Sequence, residues 1–197
     1  AERGQVGPGD MVAIFGSGPI GLLTLQAAQV AGATTLVAVD IEDNRLRHAA
    51  RLGATHTIND RDGSALEQIR ALGSALRGFA PSYSGADIAF ETAGTVFTMR
   101  NALAATRPGG VAVLVGLPPD PMVQVDMVSA ASKEIDIRGQ FRYANRYPAA
   151  IALASSGRVD VTSLATHHFR LDQAEEALVF ADEHKAEALK VMVTIGE

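Results

Sequence analysis

The stretch IFGSGPIGLLTLQAAQVAGATTLVAVD, Ile14 to Asp40, decides the fold. It reads as an apolar strand, a glycine turn, an apolar helix, a second strand and a closing acid, which together make one βαβ unit. Gly16, Gly18 and Gly21 have the G-x-G-x-x-G spacing. Gly16 lets the chain turn sharply off the strand. Gly18 has no Cβ, so a pyrophosphate can approach the backbone. Gly21 lets the helix pack closely on the strand. Pro19 falls in the first helical turn, where its missing N–H costs little. Phosphates are expected at that helix N-terminus, where unpaired N–H groups and the helix dipole favour an anion. Asp40 follows Gly18 by about the ~20 residues of the dinucleotide fingerprint, where its carboxylate can accept from both adenosine ribose hydroxyls. A 2′-phosphate there would be repelled, which favours NAD over NADP. Arg45 pulls the other way, since a nearby Arg can accommodate a phosphate. Its blander roles are to stack on adenine or pair with an acid.

A lone G-x-G-x-x-G arises by chance in structural turns, and methyltransferases and flavin proteins use relatives of it. Here four signals agree: the strand before, the helix after, the second strand and the acid. Met11 to Val39 carries no charge, so a membrane span must be weighed. Such a span needs ~20 mostly apolar residues without breaks. Four glycines and a proline divide this run, and a parallel βαβ unit buried on both faces has the same composition. The polar, glycine-rich start AERGQVGPGD is no secretory signal.

The 197 residues suffice for one domain, or one plus a fraction. A net charge of −5 and a pI near 5.5 give no basic footprint for nucleic acid. With no cysteine, the chain has no disulfide and no thiolate metal site. A cytoplasmic setting is compatible with this and is expected, as is a homo-oligomer; no membrane partner is expected. After Asp40 the pattern predicts a helix over 44–52, a strand over 56–58 and a helix from Ser64 to about Leu72. An irregular loop follows over 74–85. Then come a strand over 86–90 that ends in ETAG, a helix over 97–106 and a turn at Pro108, Gly109 and Gly110. A strand over 111–115, a short helix over 128–132 and a strand over 135–139 complete the unit. Six strands with intervening helices predict an α/β fold, a doubly wound Rossmann parallel sheet. The domain is expected to span 1–143. The remainder, 144–197, breaks the pattern: a helix over 147–156, a strand over 165–169, a helix over 171–181 and a strand over 190–195. It reads as a C-terminal α/β tail. The five histidines are scattered. His167 and His168 would face opposite ways on a strand, so they read as structural and not as a metal site.

The runs GDMVAIFGSGPIGLLTLQAAQVAGA, VDIEDNRLRHAARLGATHTIN, ATRPGGVAVLVGLP, IDIRGQFRY, LATHHFRLDQAEEAL and KVMV resemble zinc-dependent medium-chain alcohol dehydrogenases. GQFRYAN followed by YPAAIAL is most similar to the sorbitol and xylitol (polyol) branch. Three departures are visible. The run HHFR stands where the family often has HRF followed by Pro, the 74–85 loop is longer than usual, and the family's N-terminal catalytic domain with its zinc ligands (Cys, His, Glu) has no counterpart. The resemblance therefore implies the coenzyme domain and C-terminal tail of such an enzyme, with the tail packing on the absent catalytic domain. Zinc would serve the parent enzyme and not be bound by this chain, which would carry no catalytic residue of its own. Carried over residue by residue, Gly16, Gly18, Pro19, Ile20 and Gly21 would hold the pyrophosphate, and Asp40, flanked by Arg45, the adenosine ribose. Val115, Gly116 and Leu117 would hold the nicotinamide end through backbone groups, and Gln140, Phe141 and Arg142 would contact the coenzyme beyond the sixth strand. Arg142 and Tyr143 would face the polyol substrate. The implied activity is oxidation of a secondary alcohol to a ketose with NAD as hydride acceptor. The alternatives are a stand-alone NAD-binding module without catalysis, or another branch such as threonine or simple alcohol dehydrogenases. Without the catalytic domain, the tail is expected to be disordered or to self-associate through its strand edges and the apolar faces around Ile151, Leu153, Leu178 and Val191.

Overall fold

The structure, a computed structural model, describes residues 1–143 and 145–196. Ala144, inside the FRYAN stretch and at the expected domain boundary, and Glu197 lie outside the described residues. Six parallel strands form one sheet: β1 (Met11–Phe15), β2 (Thr35–Asp40), β3 (His56–Asn59), β4 (Ala86–Glu91), β5 (Thr106–Leu114) and β6 (Asp136–Gly139). Their order is β3-β2-β1-β4-β5-β6. This is the doubly wound Rossmann sheet, and the order reverses between β1 and β4. The helices are α1 (Pro19–Val30), α2 (Asp43–Arg51), α3 (Ala65–Arg77), α4 (Val96–Ala105) and α5 (Met127–Ser132).

The central strands are apolar because both faces are covered. Along β1 the side chains alternate between two cores. Val12 and Ile14 pack with Leu22, Leu25 and Ala28 of α1 and Leu46 and Ala49 of α2. Met11, Ala13 and Phe15 pack with Ala65 and Ile69 of α3 and Ala102 and Ala105 of α4. The edge strands β3 and β6 are largely exposed. At the amino end of β4 the buried Asp87 ties three elements together. It accepts from Met11 N–H at 2.7 Å, from Arg107 Nε at 2.6 Å and from the Arg77 guanidinium.

Two expectations are corrected. The helix expected to stop near Leu72 runs on to Arg77 and ends at Gly78 in the left-handed conformation, and a 3-10 turn at Pro81–Tyr83 follows. Gly73 does not break it. A Cβ there would stand 2.7 Å from Gly85 O, so this glycine lets α3 lie against the entry to β4. The Pro108–Gly110 turn lies inside β5, where the register against β4 shifts between Ala86 and Ile88. A Cβ on Gly110 would stand 2.8 Å from Asp87 O, so the shifted backbone needs glycine.

The tail forms α6 (Tyr147–Ser155), β7 (Ala165–Arg170), α7 (Ala174–Glu183) and β8 (Lys190–Thr194). A 3-10 turn at Leu171–Gln173 precedes α7, where a helix from residue 171 was expected. β7 and β8 pair with each other in parallel. Leu164 and Leu189 are buried in the α1/α2 core. Gln26 of α1 exchanges two hydrogen bonds with the Asp160 backbone, at 3.0 and 2.6 Å. Ile151 and Leu178 stay exposed, and α6 has no buried residue.

Candidate functional site

The carboxyl ends of β1 and β4 carry the glycine turn. Gly16 has φ +100, and a Cβ there would stand 2.9 Å from Ala93. Gly21 tolerates no side chain, because a Cβ would lie 1.8 Å from Gly16 O. Gly18, the N-cap of α1, has nothing within 4 Å of a Cβ position, so its face is open. Thr92, at the end of β4, holds the turn: its hydroxyl donates to Phe15 O at 3.0 Å and to Gly16 O at 2.9 Å. Pro19 opens α1, and Ile20 beside it is exposed. The Ser17 hydroxyl is buried and has no partner among the described residues. An open glycine face, a helix N-terminus and an unpartnered buried hydroxyl fit a phosphate-bearing ligand.

Asp40 ends β2 and is buried. Oδ2 accepts from Ser17 N–H at 2.6 Å and Oδ1 from Glu42 N–H at 3.0 Å. Each oxygen keeps acceptor capacity, since an ionised carboxylate offers about four lone-pair sites. Arg45 Nη1 stands 3.8 Å from Asp40 Oδ2. Its Nη2 donates to Lys185 O at 2.5 Å, and Asn44 Nδ2 donates to Glu187 O at 3.2 Å. The tail thus reaches the residues around Asp40. The adjoining loop is held from the 3-10 turn after β3 (Asp60–Asp62), where Arg61 Nε donates to Ile41 O at 2.6 Å.

On the other side of β1, the N–H groups of Val115 and Gly116 donate to Glu91 O at 2.9 and 3.0 Å. Those two donors are therefore taken, and Leu117 beside them is exposed. Gln140 N–H donates to Leu114 O at 2.9 Å, which brings the end of β6 beside this loop. Phe141 is exposed, with the Arg142 guanidinium 4.8 Å above its ring. Arg142 has φ +59, and Tyr143 lies edge-on to Tyr147 at 4.9 Å. All the named segments follow strand carboxyl ends. Ser17, Glu91, Thr92 and Gly94 were given no role from the sequence. The available signal was the ETAG run, a charged residue after the apolar Ile88–Phe90 stretch.

Among the described residues no group of three or more His, Cys, Asp or Glu could hold a metal ion, and no helix is long and apolar enough to cross a membrane. His167 packs on Phe180 with ring centroids 4.7 Å apart.

The fold and its glycine turn are those of a Rossmann-type coenzyme domain. The chain belongs to the zinc-binding dehydrogenase family, whose model matches residues 19–156. It is 42% identical to sorbitol dehydrogenase of Bacillus subtilis and 38% identical to L-idonate 5-dehydrogenase of Vitis vinifera. Each match covers 98% of this chain and 52% of the relative. The chain thus spans about half the length of these relatives. Among solved structures, an Escherichia coli oxidoreductase of unknown specificity superposes with a TM-score of 0.91 at 34% identity, over 100% of this chain and 54% of that one. A zinc-binding dehydrogenase of Sinorhizobium meliloti bound to NADP gives 0.84 at 26%, over 98% and 54%. An alcohol dehydrogenase of Escherichia coli CFT073 in complex with NADH gives 0.85 at 25%, over 98% and 54%.

Proposed function

We propose that the chain is the NAD-binding part of a zinc-dependent polyol dehydrogenase of the sorbitol type. The observation that carries the reading is the glycine turn at the β1/β4 switch point beside a buried Asp40 with acceptor capacity to spare. Gly16, Gly18, Pro19, Ile20 and Gly21 would hold the pyrophosphate against the start of α1, and Asp40 with Arg45 the adenosine ribose. The 115–117 loop and Gln140, Phe141 and Arg142 would bound the nicotinamide end, with Arg142 and Tyr143 on the substrate side. Bound NAD supplies the hydride acceptor. The chain's residues bind and orient it, and Asp40 disfavours a second charge at the 2′ position. The polyol substrate is inferred from the sorbitol and L-idonate dehydrogenases among the relatives. Zinc and the catalytic groups would belong to the rest of the enzyme, outside this chain. We place the enzyme in the cytoplasm.

Titration of the chain with both cofactors tests the reading. NAD is expected to bind at least ~10-fold more tightly than NADP, a difference of about 1.4 kcal/mol. Equal affinities would defeat the cofactor assignment. A preference for NADP would instead favour a phosphate on Arg45, the role its position 3.8 Å from Asp40 allows.

A further inference from the structure

The fourth strand closes on a carboxylate for which the proposed function has no use. Glu91 is 0% exposed. Its Oε1 accepts from Ala93 N–H at 2.9 Å, Gly94 N–H at 2.7 Å and the Thr98 hydroxyl at 2.7 Å. Its main-chain carbonyl accepts from Val115 and Gly116. Its Oε2 is buried without a partner among the described residues. One residue therefore holds the loop after β4, the first turn of α4 and the loop after β5.

These two loops also interlock. A Cβ on Gly116 would stand 2.3 Å from Gly94 N and 2.5 Å from Glu91 Oε2. A Cβ on Gly94, at φ +71, would stand 2.8 Å from Leu117 O. An unpaired buried carboxylate oxygen costs free energy, which an apolar side chain would avoid only by leaving the Ala93 and Gly94 N–H groups and the Thr98 hydroxyl without this acceptor. The loops it holds lie at the carboxyl ends of β4 and β5, in the half of the sheet across which the second nucleotide of a dinucleotide lies.

We propose that Glu91 is a positioning residue for the nicotinamide end of the cofactor. It sets the separation of the 92–94 and 115–117 loops, so that the groups they present to the cofactor are ordered before it binds. Preorganisation of this kind raises affinity because the loops need not be ordered on binding. The inference rests on the dinucleotide reading above. It assigns Glu91 no contact with the adenosine end, which lies beyond β1 at Asp40.

The test uses two probes: NADH, which spans both halves of the site, and ADP-ribose, which lacks the nicotinamide. The chain and its Glu91→Ala, Glu91→Gln and Gly94→Ala variants are titrated with each, and far-UV circular dichroism establishes that each is folded. Glu91→Ala is expected to weaken NADH by about 10-fold, the equivalent of roughly one well-placed hydrogen bond, and to change ADP-ribose by less than about 2-fold. Glu91→Gln keeps an acceptor for the loop donors and is expected to restore most of the NADH affinity. Gly94→Ala keeps the Glu91 carboxylate but sets a methyl group against Leu117 O and strains the backbone at positive φ, and is expected to reproduce the selective loss if Glu91→Ala does not fold. Unchanged NADH binding in folded Glu91→Ala, or in Gly94→Ala where Glu91→Ala does not fold, overturns the assignment, as does equal loss of both probes. A parent chain that binds neither probe overturns the cofactor reading itself and this inference with it.

Discussion

Asp40 grips the glycine turn through Ser17 N–H and the entry to α2 through Glu42 N–H, so its removal has two separable effects. Asp40→Ala is expected to shrink the NAD preference, because the charge that repels a 2′-phosphate is gone. It should also lower stability by about 1–2 kcal/mol, since two backbone donors lose their acceptor. Paired titrations and thermal melts distinguish the two; an unchanged cofactor ratio in a folded variant removes Asp40 from selectivity. Gly21→Ala is expected to be more severe, because 1.8 Å from Gly16 O leaves no room for a methyl group. A loss of at least about 2–3 kcal/mol follows from overpacking, and a variant with the parental melting point would show that α1 can shift away. These residues were legible because their meaning is local: a glycine spacing and an acid about 20 residues later. Glu91, Thr92 and Ser17 were not. Thr92 acts on a carbonyl 77 positions away in sequence, and no spacing rule reaches that far.

The elements were read well where periodicity is strong and poorly where glycine has two meanings. Gly53 follows α2 closely, as a stop should, whereas Gly73 is a contact glycine inside α3. The pairing of β7 with β8 could not be read locally, because α7 separates the two strands. The loop that leads into β7 makes a pH prediction. Hydrogen bonds from Ser163 and Thr162 hold the Asp160 carboxyl down at about 2, from an ordinary 3.8. A depressed carboxylate contributes stability that is present above its unfolded pKa and is lost as pH falls through the folded value. The contribution should therefore be complete above about pH 4 and gone near pH 2. It is modest because the group is solvated. Asp160→Asn is expected to melt below the parent at pH 7, with the gap closing by pH 2. A gap that persists at pH 2 would assign the effect to something other than the charge.

At the scale of the molecule, the sheet carries its own helices on both faces, while α6 has no buried residue and Ile151 of α6 and Leu178 of α7 stay exposed. Hydrogen exchange is expected to be slow in β1, β2 and β4 and faster in the tail at low concentration, with the tail slowing as concentration rises and the bare apolar faces meet. A tail as protected as the core in a demonstrated monomer would count against association. The purified chain is also expected to form no NADH from polyols, with or without added zinc. Measurable turnover would show that the catalytic groups are here after all. The two cores differ in one further way. The α3/α4 core draws on residues only as far as Ala105, whereas the α1/α2 core includes Leu164 and Leu189. During synthesis, then, one side of the sheet can close while the chain is still growing. The other side receives α1 and α2 early but lacks Leu164 and Leu189 until late in synthesis, and the apolar surface those two cover stays open to aggregation in that interval.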